Sequence, residues 1–110
     1  MLKFVKIGQQ NPPKREVGTR KDDFNEIYDE FISEKAQDQS SRCSQCGVPF
    51  CQVHCPLSNN IPDWLKLTAE GRLKEAYELS QSTNNMPEVC GRICPQDRLC
   101  EGNCVIEQSG

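Results

Sequence analysis

Apolar residues recur at helical spacing in three stretches of this chain and at strand spacing in none. Phe24, Ile27, Tyr28, Phe31 and Ile32 fall at i, i+3, i+4, i+7 and i+8, one stripe of an amphipathic helix. Asp22 or Asp23 stands at its N-cap position, and "SEKAQDQSSR" continues in helical composition after a break near Ser33. Asn60 precedes "IPDWLKL", with Pro62 in the first turn and Trp64, Leu65 and Leu67 available for packing. Gly71 ends that helix, and "RLKEAYELS" starts another through Leu73, Ala76, Tyr77 and Leu79. Asn85 and Pro87 open one more short helix. No segment alternates apolar and polar residues between hairpin turns, so the expected architecture is small and all-α.

Two stretches fall outside this pattern. Residues 1–21 hold Gly8, Pro12, Pro13 and Gly18 among scattered charges, the composition of an extended arm that orders only on contact. Residues 43–56, "CSQCGVPFCQVHCP", crowd four cysteines among turn formers and predict no regular structure. The chain thus divides into an arm, 1–21, and a helical domain, 22–110.

Composition explains why cysteines matter here. A chain of 110 residues with 35% hydrophobic content and a mean hydropathy of −0.69 has little with which to build a core. Eight cysteines can supply the deficit as disulfides or as metal ligands. The N-terminus, "MLKFVKIGQQNPPKREVG", has neither the apolar run nor the small-residue cleavage site of a secretory signal, and nothing has the length of a membrane span. Cytoplasmic, reduced thiols are the resulting expectation, which demotes the disulfides. A net charge of −3 and a pI near 5.1 give no general attraction to nucleic acid or a membrane surface. Lys14, Arg15, Arg20 and Lys21 read as a solvated linker.

Spacing separates the candidate chemistries. Zinc modules present paired C-x2-C knuckles held apart by a longer loop, and here only Cys43 and Cys46 have that spacing. The remaining gaps are x4 and x3 in the first run, then x3, x5 and x3 among Cys90, Cys94, Cys100 and Cys104. A four-iron cubane needs ligands reaching its corners from several directions. Bacterial ferredoxins meet this need with C-x2-C-x2-C-x3-C-P, in which the last cysteine crosses to a second cluster. The first run is C-x2-C-x4-C-x3-C-P, and C-x3-C-P returns at Cys90, Cys94 and Pro95. Cys43, Cys46 and Cys51 would then hold three corners of one cluster, with Cys55 turned by Pro56 toward another. Spacing leaves open which thiol crosses back.

Neighbouring residues carry weaker signals. Gly47, Gly91 and Gly102 lie within two residues of a cysteine, where a backbone N–H can approach sulfur or the glycine can simply permit a turn. Arg42, Arg92 and Arg98 stand beside ligands, either to offset an anionic cluster or as ordinary surface arginines. His54, the single histidine, reads as structural or solvent-facing, because a Rieske centre requires two. Trp64 and Tyr77 read as core, or as a shield between cluster and water. No carboxylates pair for acid–base work, and no catalytic residue is assigned.

The segments "RKDDFNEIYDEF", "RCSQCGVPFCQVHCPL", "NNIPDWLKL", "GRLKEAYELS" and "MPEVCGRICPQDRLCEGNC" closely resemble the N-terminal iron-sulfur domain of the small (beta) subunit of bacterial NADPH-dependent glutamate synthase. A related module opens dihydropyrimidine dehydrogenase. The resemblance implies a small ferredoxin-like helical domain organised around two [4Fe-4S] clusters. It also implies a partition, with Cys43, Cys46, Cys51 and Cys104 on one cluster and Cys55, Cys94 and Cys100 on the other. Relatives can complete the second cluster with a Glu or Gln past the last cysteine, here past Gly110, leaving Cys90 either a substitute ligand or a buried thiol. Further implied are FAD and NADPH bound elsewhere in the whole protein, since this chain has no G-x-G-x-x-G. Electrons would pass from NADPH through FAD and the clusters to the large (alpha) subunit, for synthesis of glutamate from glutamine and 2-oxoglutarate. The expected partners are that subunit and the chain's own flavin domain, docked through the arm and the helix from Phe24 to Ile32. Two readings compete: a zinc-stabilised interaction module, and the same electron carrier in a sister flavin oxidoreductase.

Overall fold

The computed structural model describes residues 1–30 and 33–107. Among these, six α-helices follow a 3-10 turn at Lys3–Val5: α1 Val17–Asp22, α2 Ser33–Ser40, α3 Phe50–His54, α4 Ile61–Ala69, α5 Leu73–Ser80 and α6 Pro87–Ile93. The described residues form no β-strand, only an isolated antiparallel bridge between Lys14 and Tyr28. The all-α expectation holds.

The centre of the domain is α4, which packs against α2, α3 and α5. Its first turn contains the buried Pro62, whose fixed φ suits that position. Gly71 closes it with φ 78°, a left-handed conformation that a Cβ would disfavour. The Gly71 N–H donates to Thr68 O at 3.0 Å and the Arg72 N–H to Leu67 O at 2.9 Å. This paired closure is a Schellman motif, and it turns the chain directly into α5. Asn59 then ties the pair together. Its Nδ2 donates to Ser80 O at 2.8 Å and Thr83 Oγ1 at 2.9 Å, while its Oδ1 accepts the Trp64 indole N–H at 2.8 Å. Asn60 occupies the N-cap of α4 but does not cap it with its side chain, which accepts from Gln52 Nε2 at 2.8 Å.

The helix expected over Phe24–Ile32 is not formed across its described part, residues 24–30; Phe31 and Ile32 lie outside the described residues. Local carboxylates take the backbone donors a helix would need. Asp23 Oδ1 accepts the Asn25 N–H at 3.0 Å, and Glu26 Oε1 accepts the Ile27 N–H at 3.0 Å. No neighbour covers the described part of the stripe either: Phe24 is fully exposed, and Ile27 and Tyr28 are exposed too. Residues 27–29 instead lie against residues 13–15, through Arg15 N–H to Ile27 O at 2.8 Å and Asp29 N–H to Pro13 O at 2.7 Å. Arg15 adds a two-pronged contact to Asp23, and Glu26 pairs with Arg92 of α6.

The N-terminal residues follow the chain that leads into the first cysteine. The Leu2 N–H donates to Cys43 O at 2.9 Å and the Lys3 N–H to Ser41 O at 3.0 Å. Arg42 Nε donates to Ile7 O at 2.8 Å, and Gln39 Nε2 to Gly8 O at 3.1 Å. The apolar core is as lean as composition implied. Ala76 is the buried non-proline hydrophobe among the described residues, alongside Pro62, Ser40 and Ser41.

Candidate metal centre

The apolar faces that a larger protein would press together here surround a cavity of about 970 Å³. Ile61, Trp64, Leu65 and Thr68 of α4 line it, as do Leu73, Ala76, Tyr77 and Ser80 of α5 and Pro87, Cys90, Gly91 and Cys94 of α6 with its cap. Each set is an i, i+3, i+4, i+7 face. Cys43, Cys51, Cys55, Cys100 and Cys104 complete the wall, so seven of the eight cysteines share one cavity. Cys46 is not among the lining residues; it is half-buried, with its sulfur 3.0 Å from Ser44 Oγ. All eight are half-buried free thiols.

The first cysteine run does contain regular structure, contrary to expectation. Cys51 lies in α3, and Cys55 caps that helix with its N–H on Cys51 O at 3.1 Å. The second Cys-Pro step repeats the arrangement at the end of α6, where the Cys94 N–H donates to Cys90 O at 3.0 Å. A residue before proline is driven out of the helical region. Cys55 accordingly has φ −74° and ψ 123°, and Cys94 has φ −62° and ψ 138°. Each C-x3-C-P is thus a final helical turn carrying two thiols one above the other, stopped by its proline.

The thiols sort by proximity. Burial pushes the Cys51 thiol up to about 11, opposed by the Gln52 backbone N–H and reinforced by Cys104, Cys43 and Cys100. Burial also raises Cys94, as do a hydrogen bond with the Cys90 thiol and the neighbouring charges of Cys90 and Cys55. Cys100 is raised by burial first, with the Glu101 carboxylate and Cys55 contributing. Cys51 therefore keeps company with Cys43 and Cys104, Cys94 with Cys90 and Cys55, and Cys100 with both Cys51 and Cys55. Such thiols stay protonated near neutrality until a metal's positive charge displaces the proton. Among the described residues, no three His, Cys, Asp or Glu side chains meet closely enough to hold a single metal ion.

Carboxamides that neither spacing nor motif singles out lie next to the thiols. The Gln45 backbone N–H and Nε2 both point at Cys43 Sγ, from 3.4 and 3.3 Å. Asn84 Nδ2 donates to Cys90 Sγ at 3.0 Å. Gln96 fastens the last turn of α6 to the loop beyond it, its Nε2 reaching Cys90 O and Gly91 O at 3.2 Å each. The available signal was position: Gln45 lies between two cysteines, and Gln96 follows the second Cys-Pro step.

Other expected residues resolve more plainly. Gly102 permits a close approach, but its N–H goes to Gln96 O at 3.1 Å rather than to sulfur. Gly47 and Gly91 have open space where a Cβ would sit. Arg92 is exposed and paired with Glu26, and Arg98 is exposed. His54 is exposed, with Nδ1 2.9 Å from Phe50 O. Trp64 is half-buried in the cavity wall, whereas Tyr77 is exposed along its outer edge and bonded to Gln81.

A family model described as dihydropyrimidine dehydrogenase domain II, 4Fe-4S cluster, matches residues 20–110. The glutamate synthase (NADPH) small chain of Azospirillum brasilense is 72% identical over 109 residues, covering 99% of this chain and 23% of that protein. Its Escherichia coli (strain K12) counterpart is 52% identical over 106 residues, 96% of this chain and 22% of that one. The putative oxidoreductase AegA of the same strain is 49% identical over 96 residues, 86% of this chain and 15% of that protein. This chain spans less than a quarter of the length of these curated relatives.

Proposed function

The chain belongs to the dihydropyrimidine dehydrogenase domain II, 4Fe-4S cluster family, and from that premise we propose that it is the electron-transfer domain of an NADPH-dependent glutamate synthase small subunit. One observation carries the reading: seven thiols from separate segments face a common, largely apolar cavity. Soft thiolates distributed around a volume suit iron–sulfur clusters. Cys43, Cys46, Cys51 and Cys104 would hold one cluster. Cys55, Cys94 and Cys100 would hold the second, with Cys90 as its fourth ligand. Cys90 lines the same cavity as Cys55, Cys94 and Cys100, which supports that choice. When bound, such clusters accept and donate electrons singly.

The chain's own residues supply the holding and the environment. Cys-Pro helix ends aim their thiols, and the faces of α4 and α5 line the volume with largely apolar side chains. Amide donors from Gln45 and Asn84 offset charge on sulfur. In this reading residues 22–110 carry the clusters and residues 1–21 form an arm. In the whole protein, FAD and NADPH bind elsewhere, and the electrons reach the large subunit for glutamate synthesis from glutamine and 2-oxoglutarate. The likeness to a putative oxidoreductase favours, as second reading, the same carrier in a sister flavoenzyme.

Iron, zinc and acid-labile sulfide per chain, measured on protein purified without oxygen and paired with EPR after reduction, test the proposal. About eight irons and eight sulfides with coupled cubane signals are expected. Half that content would move the fourth ligand past Gly110 and limit this chain to one complete set. Zinc without sulfide would sink the electron-transfer reading in favour of an interaction scaffold.

A further inference from the structure

Gln45 stands out among the residues around the cavity. Its backbone is left-handed, φ 53°, a conformation that costs any residue bearing a Cβ. The structure uses that conformation to aim one residue's two N–H sources at a single sulfur. The backbone N–H lies 3.4 Å from Cys43 Sγ, and Nε2 lies 3.3 Å from it. The side-chain amide carries two hydrogens, and one is taken by Pro62 O at 2.7 Å. A carbonyl cannot accept from another carbonyl oxygen, so this bond decides which end of the amide faces α4. The second N–H is thereby left for the sulfur, and Pro62, buried in the first turn of α4, does not move away.

We propose that Gln45 is a positioning residue that raises the reduction potential of the cluster held through Cys43. The inference rests on the cluster-bearing function proposed above. Reduction adds negative charge to the cluster and its thiolates, so fixed N–H donors stabilise the reduced state more than the oxidised one. The polarity of the effect follows from the donors alone. Asn84, which lines the cavity, provides the counterpart with one donor on Cys90 at 3.0 Å. The two carboxamides therefore address different thiol sets.

Redox titrations followed by EPR on the iron-loaded, full-length protein test this. Gln45→Gly is the first variant, because glycine accepts the left-handed turn and retains the backbone N–H while removing the side chain that carries the carboxamide. Gln45→Glu keeps the side-chain length and replaces the donor with a carboxylate. In both, one of the two cubane couples is expected to become harder to reduce by about tenfold in its equilibrium constant, about 59 mV for a one-electron couple. That couple should be the one that Cys46→Ser abolishes, and Asn84→Leu should leave it in place. Unchanged couples in fully loaded variants overturn the proposal, as does an equal shift of both couples. Loss of iron from both Gln45 variants assigns the residue a purely structural clamp and overturns the tuning role. Wild-type protein without cubane iron would overturn the underlying function as well, so the two failures are distinguishable.

Discussion

Replacing Gly102 by alanine tests how the last two thiols are placed. A Cβ on Gly102 would lie 1.8 Å from Asp97 O and 2.7 Å from Asp97 C, both backbone atoms that cannot rotate aside. Reaching even 3.0 Å from that oxygen requires the two sides of the turn to part by about 1.2 Å. Gln96 O now accepts the N–H groups of Glu101 at 2.9 Å and Gly102 at 3.1 Å, and opening the turn breaks both. Two such bonds contribute about 1 kcal/mol each, and overpacking costs about 1–3 kcal/mol more. A total of roughly 3–5 kcal/mol disfavours the intact turn by more than about a hundredfold. Cys100 lies within this turn and Cys104 just beyond it, and they belong to different proposed sets. Gly102→Ala should therefore reduce iron and sulfide to below half the wild-type content and weaken both EPR signals. Gly47→Ala, whose Cβ meets nothing within 4 Å, should retain them. Full iron in Gly102→Ala would refute the idea that this close approach places the two thiols.

Asn59→Ala removes three hydrogen bonds that join α4, α5 and Thr83, at a cost of about 2–3 kcal/mol. The urea midpoint followed by circular dichroism should fall, and an unchanged midpoint would mean that water replaces them. Arg15 holds the Asp23 carboxyl at about 2, through its side-chain hydrogen bond first and the Asn25 N–H second. The folded value lies below the ordinary 3.8, so this contribution is complete above about pH 4 and is lost as pH falls through about 2. NMR titration should find the depressed value in wild type and a return toward 3.8 in Arg15→Gln; an Asp23 already titrating near 3.8 in wild type would remove the clamp from the account. Cys90→Ser should halve the iron content while preserving the set that includes Cys43, and full retention would assign the fourth ligand elsewhere.

Much of this protein was legible because its signals are local. Pro62 and Gly71 bracket α4 in the sequence as they do in the structure, since a fixed φ starts a helix and a missing Cβ ends one wherever they occur. The repeated C-x3-C-P likewise announces a recurring device from spacing alone, while the family comes from the resemblance of whole segments. The stripe from Phe24 to Tyr28 had equally good periodicity and still failed. Periodicity states which side of a helix would be apolar but not whether anything lies against it, and here Asp23 and Glu26 claim the backbone donors first.

Where the apolar faces of α4 and α5 point was likewise undecidable from the chain. Trp64 and Tyr77 on them read as core or as a shield between cluster and water, and the faces wall a cavity shared with seven thiols. The same holds for the reach of Gln45 to Pro62, seventeen positions away, as well as to Cys43. The sequence by itself determined the kinds of donor, the limits of α4 and, through resemblance, the family. The tertiary structure alone decided which donors meet and which amides touch sulfur, because contacts between distant segments depend on how helices pack, and packing is not written in any one segment's spacing.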